Sequence, residues 1–257
     1  MTFELDPAFI FGLILSMTRV TGFVIASPIY SRALPAVGRM AMVVVLGLFF
    51  AVPISPAGGL GQLLVWIVVN LVVGAFLGFA TGLVFTVFTM AGSLMDFTSG
   101  LSVAQVLDPL THNRAAPFGR SLNAIALALF FAIGGHRLVI RGLDLSFSTL
   151  GVTGSLDFGN SSTLGEALMV LFTRTLIAAI ELAMPALAAL FLAELVLGLA
   201  SRFAPQANVF LLGLPLKLLA AFASVTVVML LVPDTMSGVL DTMRQTFEGV
   251  MGGVSGG

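Results

Sequence analysis

The chain has 257 residues, of which 58% are hydrophobic and only 9% charged, with a formal net charge of −1 and no Cys. A soluble domain carries roughly 25% charged residues, so this composition excludes an ordinary water-soluble enzyme, a disordered chain and a nucleic-acid binder. The near-zero net charge gives no pull toward phosphate or anionic lipid, and the missing Cys removes disulfides and thiolate metal sites.

Taken in order, the apolar segments read as membrane spans. The N-terminus is acidic and lacks the basic region of a cleavable signal, so the first apolar stretch is expected to stay as a helix. Span one covers Ala8–Ile29, interrupted by Arg19 alone. A short segment with Arg32, Pro35, Gly38 and Arg39 leads to span two, Met40–Ile54. Between Arg39 and Asp96 lie 56 residues without a charge, room for two spans of roughly 20 residues each. Span three, from Leu63 to Met95, is too long for one perpendicular crossing and calls for a tilt, a projecting end or a break near Gly92. Residues Asp96 to Arg120 form the longest polar stretch of the first half and read as a loop. Span four, Ser121–Ile133, is short unless His136 to Ile140 continue it, and Ser146 to Thr163 reads as a loop or weak strand. Spans five, Glu166–Leu199, and six, Ala207–Val232, precede an acidic, then Gly-rich, C-terminus. The reading is an all-α polytopic membrane protein with about six long hydrophobic helices. Arg32 and Arg39 place the first loop in the cytoplasm and both termini outside; Arg137 and Arg141 break that rule, so their helix is not expected to sit in a bilayer in the ordinary way.

Three groups of residues stand out. Gly74, Gly78 and Gly82 are spaced by four, which bares one helix face for close approach by a helix of this chain or of another subunit. Arg19, Arg174, Glu181, Glu194 and Lys217 lie inside apolar runs, where an ionised group costs about 2.5–3.5 kcal/mol and wants a partner. Met90 and Met95 flank the polar loop and can form a soft seal as well as simple packing. The loop is either a solvent loop or a gate: irregular backbone at membrane depth survives only buried or lining a cavity. No catalytic, cofactor-binding or metal-ligating pattern is present: His112 and His136 form no paired motif, and neither a nucleophile elbow nor a nucleotide-binding loop occurs.

Three ordered motifs then carry a resemblance. Gly92-Ser-Leu-Met-Asp-Phe-Thr-Ser-Gly-Leu-Ser-Val-Ala-Gln-Val-Leu-Asp-Pro109, Gly119-Arg-Ser-Leu-Asn123 with the following Gly135-His136, and Ala204-Pro-Gln-Ala-Asn-Val-Phe-Leu-Leu-Gly-Leu-Pro-Leu-Lys217 are similar to stretches of the FliR family of flagellar export-gate proteins, over essentially the whole chain. The resemblance implies a pore-forming gate subunit that passes unfolded flagellar proteins across the bacterial inner membrane, in the flagellar basal body and partly raised toward the periplasm. It implies a single copy with FliP and FliQ in a helical assembly of hairpins, FlhB on the cytoplasmic side, and no cofactor. Residues 1–165 would be a FliP-like part, 166–250 a FliQ-like hairpin and 251–257 a flexible tail. The loop would supply a plug, with Gly100, Asp108, Pro109, His112, Asn113 and Arg114 as candidates; the glycines and Arg174, Glu181, Glu194 and Lys217 would meet neighbouring subunits. The other readings are a virulence-injectisome subunit and a self-contained secondary transporter, which would show matched helix breaks in its two halves.

Overall fold

The computed structural model describes residues 6–28, 30, 34–55, 59–101, 117–154, 162–203 and 209–255, and all regular structure among them is helical. The helices are α1 (Pro7–Ala26), α2 (Ala36–Phe49), α3 (Gly59–Thr98), α4 (Pro117–Ala132), α5 (Gly135–Leu150), α6 (Ser162–Phe203) and α7 (Val209–Ser255). Four of them, α1, α3, α6 and α7, are long and apolar enough to cross a membrane, and α4 with α5 passes the same test as a broken pair.

α1 starts where Pro7 stands at the first helical turn and Asp6 accepts the Ala8 N–H at 3.0 Å, a favourable start because Pro has no N–H to lose and the carboxylate fills an orphan donor. α3 is one unbroken helix of 40 residues, about 60 Å at 1.5 Å per residue, twice a hydrocarbon core of roughly 30 Å. The break considered near Gly92 is absent. Its N-terminal part turns Leu60, Leu64, Val65 and Val68 outward, whereas Val84, Val87, Phe88 and Ala91 are buried.

Two sequence expectations are corrected here. Ser146–Leu150 is not loop or strand but the last turn of α5, and 162–163 already belong to α6. α7 continues past Val232 to Ser255, so the acidic segment and the start of the expected tail are helical. Met236, Met243, Phe247, Val250 and Met251 are buried while Asp241, Arg244 and Glu248 are exposed, an amphipathic period that holds the helix together beyond its apolar run. α5 is amphipathic in the same way: Val139, Leu143, Ser146 and Leu150 face in, and Arg137, Arg141 and Asp144 face out. The two Arg that depart from the charge rule thus lie on the exposed, polar face of α5.

The helices gather into two compact units, one from residues 1–83, 134–172 and 241–257, the other from 84–133 and 173–240. In the first, α2 folds back on α1: Ser16 Oγ donates to the Gly47 carbonyl at 2.6 Å, and Ile54 N–H to Ala8 O at 2.8 Å. α3 crosses α1 at the glycines. A methyl on Gly74 would collide with the Arg19 carbonyl, on Gly78 with the Phe23 carbonyl, and on Gly82 with the Pro28 ring. α1 of the same chain thus fills the face that these glycines bare. The Phe247 ring of α7 packs onto Gly142 of α5. In the second unit, α4 lies against α3, with Phe85 and Phe130 edge to face at 5.1 Å, and α6 pairs with α7.

Candidate functional site

Ionisable groups in apolar helices are where this chain concentrates its chemistry, and the structure resolves them into three arrangements. The first is built on Arg19, fully buried in α1. Its Nε donates to Asn70 Oδ1 of α3 at 2.9 Å, its Nη1 to the Ser146 carbonyl at 2.6 Å, and its Nη2 to the Gly151 carbonyl. The guanidinium also lies over the Phe147 ring at 4.3 Å, and Phe147 stacks on Phe50 at 4.4 Å. None of these partners is a carboxylate. The positive charge is answered by carbonyls at the C-terminal end of α5, where the helix dipole is negative, and by an aromatic face. Gly151 allows this because it takes φ 56, a left-handed value that bulkier residues avoid, and its carbonyl turns toward Arg19. Asn70 completes the node by donating to the Val152 carbonyl at 2.9 Å. One planar fork thus ties α1, α3 and α5 together.

The second arrangement is Asp96, 1% exposed near the end of α3. Its two carboxylate oxygens accept the backbone N–H groups of Phe118 and Gly119 at 3.1 and 3.0 Å. Those are the second and third residues of α4, so Asp96 caps a helix that begins 21 residues later. The anion sits at a positive helix end and satisfies two orphan donors. Gly92, one turn earlier, makes the approach possible: a Cβ there would lie within 2.4–2.6 Å of Gly119 and Phe118 backbone atoms, so in practice it cannot be accommodated. Reading 96–120 as loop missed this, because a cap supplied from a distant segment leaves no local signature. Of the plug candidates, Gly100 ends α3 with φ 84; Asp108, Pro109, His112, Asn113 and Arg114 lie outside the described residues.

The third arrangement is on α6 and α7. Glu194 and Lys217, expected to meet other subunits, pair with each other at 2.5 Å, with 59% of the Glu194 and 22% of the Lys217 side chain exposed. The pair joins α6 to α7 within the chain. Arg174 and Glu181 differ. Both are exposed on α6, and among the described residues neither has an ion pair or hydrogen bond. Their surroundings are apolar and outward, including Phe172, Ile177, Ile180 and Met184. Of the seal candidates, Met95 is buried inside the chain and acts as packing, while Met90 is half-buried. Among the described residues no cluster of three or more His, Asp and Glu could hold a metal ion.

Over 94% of this chain and 95% of its own length, the flagellar biosynthetic protein FliR of Bacillus subtilis is 28% identical. FliR of Escherichia coli is 28% identical over 74% of this chain and 73% of its own. The Yop proteins translocation protein T of Yersinia pestis is 30% identical over 53% of this chain and 52% of its own. Residues 10–243 match the bacterial export proteins, family 1, and with that match covering nearly all the described helices the chain belongs to this family.

Proposed function

We propose that this chain is a pore-forming export-gate subunit of a flagellar type III secretion apparatus, passing unfolded flagellar proteins across the bacterial inner membrane. The observation that carries the reading is the match to the export family across 10–243, on a chain whose helices turn an extensive apolar surface outward. The flagellar branch is favoured because a flagellar relative aligns over 94% of the chain, whereas the injectisome relative quoted above aligns over 53%. Partner subunits FliP and FliQ, one copy of this chain among them, and FlhB on the cytoplasmic side are part of the proposal. So is the division into a FliP-like part, residues 1–165, and a FliQ-like hairpin, residues 166–250. The hairpin is supported by the Glu194–Lys217 pair that joins α6 to α7. The chain's role in this reading is structural: the charged groups described above hold helices, and the exported polypeptide is moved by other components.

Co-expression with FliP and FliQ followed by native mass spectrometry tests this. The expected result is a hetero-oligomer holding one copy of this chain. A lone chain that carries a small solute into liposomes overturns it in favour of a transporter.

A further inference from the structure

We infer that the outward face of α6 from Arg174 to Phe191 is a docking seam for one transmembrane helix of a neighbouring subunit, a helix bearing an acid opposite Arg174 and a base opposite Glu181. The inference rests on the export-gate reading and names the partner chemistry of that surface. Arg174, Ile177, Glu181, Met184, Ala188 and Phe191 are all exposed, and their spacing alternates three and four. That is the repeat of a helix seam that packs along a second helix. The opposite stripe of α6, with Thr175, Ala179, Leu182, Ala186 and Leu190, is already buried in the chain. One face is thus used and the other is unpartnered.

Lipid is a poor occupant for this seam. Arg174 and Glu181 stand 12 and 19 residues into a helix of 42, roughly 18 and 28 Å from its start. Each ionised group left in hydrocarbon costs about 2.5–3.5 kcal/mol. The two cannot neutralise each other, since seven residues separate them by about 10 Å along the axis. A second observation comes from the backbone. Pro185 has no N–H to offer the carbonyl of Glu181 four residues earlier. Glu181 therefore carries both a carboxylate and a backbone carbonyl without its usual helix donor. A guanidinium or ammonium on the partner satisfies both with its several donors. Two turns away, Arg174 asks for a carboxylate. The charge pattern thus specifies a partner helix with an acid and a base about seven residues apart on an apolar face.

The test uses the full chain in nanodiscs, labelled through Gly165→Cys; the chain has no other Cys, and Gly165 is exposed with open space around its Cα. The probe is a labelled Leu-rich peptide of about 25 residues carrying one Glu and one Arg seven apart, compared with its Gln/Gln version. Energy transfer should half-saturate at about fivefold to tenfold lower peptide density for the charged probe. The chain with Arg174→Gln and Glu181→Gln, its helicity unchanged by circular dichroism, should lose that preference. Equal binding of the two probes by the wild-type chain, a preference that survives in the double variant, or self-association of the chain that excludes both probes overturns the seam. Should the preference fail while the chain still co-purifies with FliP and FliQ, the export-gate reading stands and this inference alone falls.

Discussion

Arg19 and Arg174 are both cations set in apolar helices, and the fold treats them oppositely. Arg19 is enclosed, with its donors spent on Asn70, Ser146 and Gly151 and its face on Phe147. Arg174 is exposed among apolar side chains and, among the described residues, has no partner. The first charge is a fastener of the chain itself. In the proposed assembly the second, with Glu181, takes its counter-charge from a neighbouring subunit. The contrast separates what this protein needs in order to fold from what it needs in order to assemble, two demands that composition alone merges.

Several substitutions break or sharpen that contrast. The largest effect is expected for Arg19→Ala, which orphans Asn70 and two carbonyls in the interior and should cost about 3–5 kcal/mol of stability. Unfolding of the purified chain in detergent measures it, and Arg19→Lys should fall between, keeping the charge but losing the fork. Next is Gly78→Ala. A methyl there meets the Phe23 carbonyl, and overpacking of this kind costs about 1–3 kcal/mol. The loss should appear in the isolated chain, which identifies the glycine face as internal. Asp96→Asn should cost about 1–2 kcal/mol, because the amide can accept only one of the two α4 N–H groups; amide hydrogen exchange at the start of α4 should accelerate. The smallest effect is predicted for Arg174→Gln with Glu181→Gln: stability of the isolated chain within about 0.5 kcal/mol of wild type, with weakened recovery alongside partner subunits.

Hydrophobicity in the sequence marks the long helices well and their ends poorly, for physical reasons. Hydrophobic runs without charges mark a span, but they carry no punctuation, so the continuity of α3 through Gly92 was not readable. α5 was half missed because its second half, Asp144 to Leu150, is rich in Ser and Thr, weak helix formers. What secures it is tertiary: Phe247 against Gly142 and Arg19 at its end. Arg19 was legible as a buried charge, yet its partners come from segments 51 to 132 residues away. The four-residue glycine spacing signalled close approach without saying by which helix. Asp96 stands in the first motif, but its capping role has no local signature, since it reaches a helix that starts 21 residues later.

The central claim is that α6 faces a neighbouring subunit along Arg174 to Phe191. The most direct measurement is cross-linking at Ala188, an exposed position within that seam. Ala188→Cys in this Cys-free chain should be joined by a short bifunctional thiol reagent to a single-Cys FliP or FliQ co-expressed in the same membrane. The account predicts an adduct of one chain of 26.7 kDa with one such subunit. A product made only of two copies of this chain, or a Cys that reacts with lipid-soluble reagents and with no subunit, would contradict it.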